Sequence, residues 1–223
     1  MSQIFLKEIV DVKAQVLNLG TLVEENLYLA VKSVEDQSSK MANDVIKKDE
    51  EIDTAEIELE EEILKLLALH QPLATDLRYL IAVLKVNDEL ERIGDLAVNI
   101  AERTISLVQT KPMNMPFDFG SMSSRVCEML KKSLDALIHL NRNDAIEVFE
   151  LDDEVDKIHA SMYRLLKDGI KQDIENIDAL IHYLSISRHL ERIADHAESI
   201  AEDIIYLIDG EIVRHNRSAA VKE

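Results

Sequence analysis

The chain repeats a charged motif at an interval of 100 residues. Leu90-Glu-Arg-Ile-Gly-Asp-Leu-Ala97 aligns with Leu190-Glu-Arg-Ile-Ala-Asp-His-Ala197. A slightly longer shift, 103 residues, aligns Asp49-Glu-Glu-Ile-Asp53 with Asp152-Asp-Glu-Val-Asp156. A period this long predicts two copies of one structural unit, and the differing shifts indicate a small length change in the intervening turn.

Each unit is predicted to be an antiparallel bundle of three helices. In the first half, apolar residues recur at helical spacing in two stretches, through Ile4, Val12, Val16, Leu19, Val23, Leu27 and Val34, and through Val45, Ile52, Ile57, Leu64 and Leu67. A third helix is predicted from Pro72, a favourable first-turn residue, to about Val108. In the second half we expect helices over about 121–140, 144–168 and 175–209, with turns at 141–144 and at Gly169.

The predicted fold is therefore all-α, with six helices in two homologous three-helix bundles. Two prolines and a glycine interrupt the helical pattern between the halves. We assign 1–109 to the first bundle, 110–120 to a linker, 121–210 to the second bundle, and 211–223 to a flexible tail.

Composition limits the functions that the chain can perform. With 44 acidic and 25 basic residues, the formal net charge is −19, which repels the phosphate backbone of nucleic acids and favours cations. Cys127 is the only cysteine, so neither a disulfide framework nor a thiolate zinc site is expected. The N-terminus lacks the basic and apolar regions of a signal peptide, and charges interrupt every apolar run, which predicts a cytoplasmic protein without membrane insertion.

The repeats carry acidic residues four positions apart, which share one face of a helix. Acids are so frequent in this chain that a single such pair carries no information, since most are solvated surface. Two pairs in each half, however, lie equally far from a predicted hairpin turn, at Pro72 and between Asp173 and Ile174. Antiparallel helices then bring four carboxylates to one level in each half. We name these sets the first acidic face (Asp49, Asp53, Glu91, Asp95) and the second acidic face (Asp152, Asp156, Glu191, Asp195).

Four carboxylates in one place repel one another unless cations neutralise them. Arg92 and Arg192 could do so, or each face could bind a hard cation such as Mg²⁺, Mn²⁺ or iron through oxygen ligands. His159 and His196 could add nitrogen ligands in the second half, because the matching positions in the first half are Glu56 and Leu96.

Both acidic helix pairs, the two Leu-Glu-Arg-Ile stretches and the segment Asp203-Ile-Ile-Tyr-Leu-Ile-Asp-Gly-Glu-Ile-Val-Arg-His215 resemble the PhoU-like phosphate-transport regulators. The resemblance covers nearly the whole chain. It implies two three-helix bundles, often as a homodimer, with metal, most often iron, on the first and second acidic faces. It also implies negative control of phosphate uptake, in partnership with the phosphate ABC transporter and its sensor histidine kinase.

Two other functions remain open at this stage. A ferritin-like di-metal carboxylate enzyme also uses helical bundles with inward-facing acids, but only Asp156-x-x-His159 approaches its Glu-x-x-His motif, and Glu56 replaces the histidine in the first half. A metal-free helical adaptor would use its acids for solubility alone. Without a glycine-rich phosphate loop or a Ser/His/Asp nucleophile, we expect no catalysis.

Overall fold

The structure, a computed structural model, describes residues 3–210. These residues form six long α-helices, with a short 3₁₀ helix at Ile174–Asn176 and no strand. The helices are Gln3–Glu35 (α1), Ser39–His70 (α2), Ala74–Val108 (α3), Phe119–His139 (α4), Arg142–Gln172 (α5) and Ile177–Asp209 (α6). The all-α prediction is confirmed, whereas the predicted tail at 211–223 lies outside the described residues.

The helices form the two predicted bundles, with α1, α2 and α3 in one and α4, α5 and α6 in the other. Within each bundle, consecutive helices are joined by turns of a few residues, so each packs antiparallel to the next. Among residues 3–210, no helix is long and apolar enough to cross a lipid bilayer.

The two bundles share one hydrophobic core. The most extensive helix contact in the described chain is between α3 and α6, the last helices of the two bundles, and α1 also contacts α4. Gly20 permits the approach of α1 to α4, since a Cβ atom at this position would lie 2.8 Å from Cδ2 of Leu134. Buried residues from both halves therefore form a single cluster rather than two.

Pro72 ends the second helix instead of beginning the third. α2 stops at His70, and Gln71 caps it in the left-handed conformation with φ 45°. Leu73 is extended and α3 begins at Ala74. The prediction was wrong by two residues because proline is also common just after a helix C-terminus, where it cannot continue the helix.

Gly169 lies within α5, and the prediction of a turn at this position was wrong. A Cβ atom at Gly169 would be 3.1 Å from Cδ1 of Leu180, so the glycine serves close packing of α5 against α6. The chain reverses at Asp173, whose side chain accepts a hydrogen bond from the backbone N–H of Glu175 at 3.0 Å.

Ile4, assigned to the periodic pattern of α1, is 67% exposed, and two apolar residues assigned to the pattern of α2 also lie at the surface. Ile57 is 53% exposed and Leu64 is 50% exposed, whereas Ile52, Leu59 and Ile63 are fully buried. The buried residues follow the 3.6-residue helical repeat, and the two exposed residues fall on a neighbouring face.

The segment between the bundles packs against the core through Met113, Met115 and Phe117. Asp118 then caps α4, because its carboxylate accepts a hydrogen bond from the backbone N–H of Ser121 at 3.0 Å. Phe119, which opens α4, is buried. The last two residues of the predicted linker are therefore helical.

Candidate metal-binding faces

The first acidic face lies where α2 passes α3. Asp49 and Asp53 occupy successive turns of α2, and Glu91 and Asp95 occupy successive turns of α3. Ile52 on α2 and Ile93 on α3 are both buried. Ile52 packs close to Gly94, where a Cβ atom would lie 3.2 Å from its Cγ2, and this close approach of α2 to α3 places the acid pairs along their shared edge.

The four carboxylates of the first acidic face act on one another. Burial raises the pKa of Asp49 to about 6, and Asp53, Asp95 and Glu91 contribute further, in that order. The pKa of Glu91 is also raised, first by burial and then by Asp95. These mutual effects place all four predicted residues in one electrostatic cluster.

One oxygen of this cluster lacks a partner. Oδ1 of Asp49 is buried and accepts no hydrogen bond from any residue in the described part of the chain. The absence of a side chain at Gly94 makes room for it, since a Cβ atom there would lie 3.2 Å from this oxygen. A buried carboxylate oxygen without a donor is costly unless a cation or water satisfies it.

Two further residues support the first acidic face, and sequence reasoning did not identify their roles. Nδ2 of Asn87 donates to Oε1 of Glu56 at 3.0 Å and to the backbone oxygen of Glu56 at 3.1 Å. Burial raises the pKa of Glu56, followed by the charges of Glu60 and Asp88. The sequence signal for this support was an asparagine close to a repeated acidic motif, and the structure shows that this asparagine is fully buried.

The second acidic face forms in the same way between α5 and α6. Asp152 is only 2% exposed. Partial desolvation raises the pKa of Asp195 to about 6, with contributions from Glu191, Asp152 and Asp156, while His196 opposes the shift. The pKa of Glu191 is raised by burial and then by Asp156, and it is lowered by Arg188. The four predicted residues again lie together.

The two histidines predicted as additional ligands have hydrogen-bond partners. Nδ1 of His159 lies 2.8 Å from Oγ of Ser187, and burial lowers the pKa of His159. Nδ1 of His196 lies 2.5 Å from Oε2 of Glu89, across the interface between the bundles. In each ring, only Nε2 remains available to a cation on the second acidic face.

The predicted neutralising arginines act at the rims of the two faces. Arg92 donates to Oε1 of Glu89 at 3.2 Å and lowers the pKa of Glu91. Arg192 likewise lowers the pKa of Glu191. Both arginines are exposed, so they neutralise only part of the negative charge.

A comparison with protein families matches the PhoU domain twice, at residues 16–104 and at residues 119–204. The chain belongs to the PhoU family. One relative is the phosphate-specific transport system accessory protein PhoU homolog of Aquifex aeolicus, which is 39% identical over 94% of this chain and 95% of its own length. The homolog of Clostridium acetobutylicum is 33% identical over 96% of this chain and 98% of its own length. The resemblance inferred from the acidic motifs is confirmed.

Solved PhoU structures share this fold. The crystal structure of PhoU from Pseudomonas aeruginosa superposes with a TM-score of 0.88 at 34% identity, covering 93% of this chain and all of that one (100%). The phosphate transport system regulatory protein PhoU from Streptococcus pneumoniae gives a TM-score of 0.84 at 31% identity, covering 94% of this chain and 99% of that one. The duplicated bundle is therefore the PhoU architecture.

The side chains of this PhoU protein are not arranged for coordination in the present structure. Across residues 3–210, no group of three or more His, Cys, Asp or Glu side chains could hold a metal ion as placed. The helices bring each quartet together, and rotation of the carboxylates about their side-chain bonds would be needed to converge on one cation. The choice of metal ligands stays a prediction.

Proposed function

We propose that this chain is an accessory regulator of a phosphate-specific transport system. The PhoU domain match in both halves carries the proposal, together with relatives of that name that align over nearly the full chain. The net charge of −19 supports action through proteins and cations rather than through nucleic acid.

A more specific proposal concerns the proteins with which the chain interacts. The protein would act in the cytoplasm as a homodimer and restrain phosphate uptake by docking onto the phosphate ABC transporter and its sensor histidine kinase. The family resemblance supports this assignment, and we propose no catalytic role.

We further propose that each acidic face binds metal, with iron as the first candidate and Mn²⁺, Mg²⁺ and Zn²⁺ as alternatives. The ligands would be Asp49, Asp53, Glu91 and Asp95 on one face and Asp152, Asp156, Glu191 and Asp195 on the other. Carboxylate-only sites suit hard cations, and the unpartnered Oδ1 of Asp49 fits such a ligand set. A bound cation would supply positive charge that offsets the mutual repulsion and would control docking onto the partners.

Complementation tests the transport role. A bacterium that lacks its own PhoU protein would be supplied with this chain, and phosphate uptake would be measured with radiolabelled phosphate. We expect uptake to fall toward that of the parent strain. Uptake that stays unchanged, with the protein present at normal levels and correctly folded, would refute the regulatory role.

Metal content tests the acidic faces separately. Protein purified without an affinity column would be assayed by inductively coupled plasma mass spectrometry before and after chelation, with circular dichroism on each sample. We expect Asp53→Asn and Asp95→Asn to lower bound metal with little loss of helix, and Asp11→Asn, on an exposed face of α1, to leave it unchanged. Equal metal content in all three variants would mean that the first acidic face is misassigned.

The same samples separate the two alternative functions. Oxygen consumption on addition of ferrous iron would favour a ferritin-like enzyme. Protein that neither holds nor binds added Mn²⁺, Fe²⁺ or Mg²⁺ would be a metal-free adaptor, whose regulatory role then rests on protein contacts alone.

A further inference from the structure

The 100-residue repeat relates the two ends of the interface between α3 and α6. Because these helices are antiparallel repeats, a contact at one end has a counterpart at the other. At the first end, Nζ of Lys85 donates to Oδ1 of Asp203 at 3.0 Å, and Glu89 contacts His196. Acidic and basic groups thus alternate across this end of the interface and satisfy one another.

The opposite end has lost both acids. By the same shift, Arg103 replaces Asp203 and His189 replaces Glu89, while Ser185 and Leu96 replace Lys85 and His196. By this register Arg103 lies opposite Ser185, which stands between His182 and His189 on one face of α6. No carboxylate occupies any of the four counterpart positions.

Three nitrogen atoms at this end are buried without a hydrogen-bond partner among the described residues: Nε of Arg103, Nδ1 of His182 and Nδ1 of His189. A buried polar group left without a hydrogen-bond partner destabilises the folded state. Three in one place, contributed by two helices, indicate that something outside the protein chain completes the site.

The electrostatics agree with this register. After burial, Arg103 is the largest influence that lowers the pKa of both His182 and His189. Arg192 and Arg188 lower the pKa of His189 further, whereas the acid that acts on His182 is Asp178, one turn earlier on α6. Three arginines therefore act on His189, although the protein as a whole is strongly acidic.

We propose that Arg103, His182 and His189 bind a tetrahedral oxyanion, such as inorganic phosphate or sulfate, between α3 and α6. The two histidines are two helical turns apart, about 10 Å along α6, with Arg103 acting on both from α3. A guanidinium can pair with two oxygens of an anion at once, and a tetrahedral anion has further oxygens to accept from imidazole N–H groups. Halide ions, with one acceptor centre, match this arrangement poorly.

This site is separate from the metal proposal. An oxyanion could also reach the protein through a metal held on the acidic faces, so the experiment uses full-length protein freed of metal by chelation. Loss of oxyanion binding would leave the transport and metal proposals standing, and loss of metal binding would leave this proposal standing.

Nuclear magnetic resonance of the imidazole nitrogens tests the proposal directly. Phosphate and sulfate would be titrated separately at constant pH and ionic strength. We expect saturable shifts of the His182 and His189 resonances with a Kd of about 1 mM. Binding of both anions defines a general oxyanion site, and binding of one alone defines a selective site.

Variants identify the charge that holds the anion. Arg103→Gln is expected to weaken binding at least about tenfold, whereas Arg164→Gln, which removes the same charge from an exposed position on α5, should leave it unchanged. If Arg103→Gln does not fold, His182→Gln provides the same comparison. Imidazole resonances that do not move up to about 50 mM of either anion, or that move equally in the parent and Arg103→Gln proteins, would overturn the proposal.

Discussion

The two acidic faces contain the same types of ligand but differ in the groups that surround them. Around the first acidic face, Glu56 and Asp88 add negative charge. Around the second, the corresponding positions are His159 and Arg188, and Arg188 lowers the pKa of Glu191. The repeat has kept both quartets and replaced two acidic neighbours with a histidine and an arginine.

The hydrogen bonds beside the two acidic faces also differ. Asn87 donates to Glu56 in the first half, whereas Ser187 pairs with His159 in the second. In each bundle, a buried polar residue on the third helix therefore forms a hydrogen bond with a residue at the corresponding position of the second helix. The first acidic face carries more uncompensated negative charge, so it should have the higher affinity for cations.

The largest expected effect tests the hydrophobic core that the two halves share. Ile93→Ala and Ile193→Ala remove equivalent, fully buried side chains and should each lower the free energy of unfolding by about 3 kcal/mol. Because the two bundles share one core, both variants should unfold in a single transition, measured by circular dichroism in urea. Separate transitions for the two halves would contradict a common core.

An exchange of charge tests the difference in metal affinity. Asp88→Arg should weaken metal binding at the first acidic face about tenfold, and Arg188→Asp should strengthen binding at the second by a similar factor. Isothermal titration calorimetry with Mn²⁺ measures both changes. Arg164→Asp, with the same charge change away from the faces, is the control, and an equal response in all three variants would remove the distinction between faces.

The smallest expected effect concerns the pH dependence of stability. The folded-state pKa values of Asp49 and Asp195 are about 6, above the ordinary value of 3.8. The folded protein therefore binds more protons than the unfolded chain between about pH 4 and pH 6, and its stability falls as pH rises through this window. At pH 7 this loss of stability, which is the penalty for ionising the two half-buried carboxylates, is fully present.

Replacing either carboxylate with an amide should remove this penalty. Asp49→Asn and Asp195→Asn are each expected to stabilise metal-free protein at pH 7 by about 1 kcal/mol, allowing for solvent screening of half-buried groups. The gain should disappear below about pH 4, as urea unfolding across the pH range would reveal. A gain that persists at low pH would place its cause in packing rather than in charge.

Much of the fold followed from local patterns. The 3.6-residue period identified the helices, and the repeated acid pairs identified both quartets, because residues four apart on a helix always share a face. Pro72 and Gly169 were misread, since each has two common uses and only the packing of neighbouring helices selects between them. Ile57 and Leu64 were misread because an apolar residue can lie just beside a buried stripe.

The sequence alone determined the duplication, the helical class and the grouping of eight acidic residues into two quartets, because these are encoded in spacing along the chain, and its motifs carried the PhoU resemblance. Only the tertiary structure decided how the two bundles meet. The contact between α3 and α6 joins residues that are distant in the chain. It merges the two cores, pairs His196 with Glu89, and leaves nitrogen atoms of Arg103, His182 and His189 buried without a hydrogen-bond partner among the described residues. Such pairings depend on how whole helix surfaces pack against each other, which no local pattern specifies.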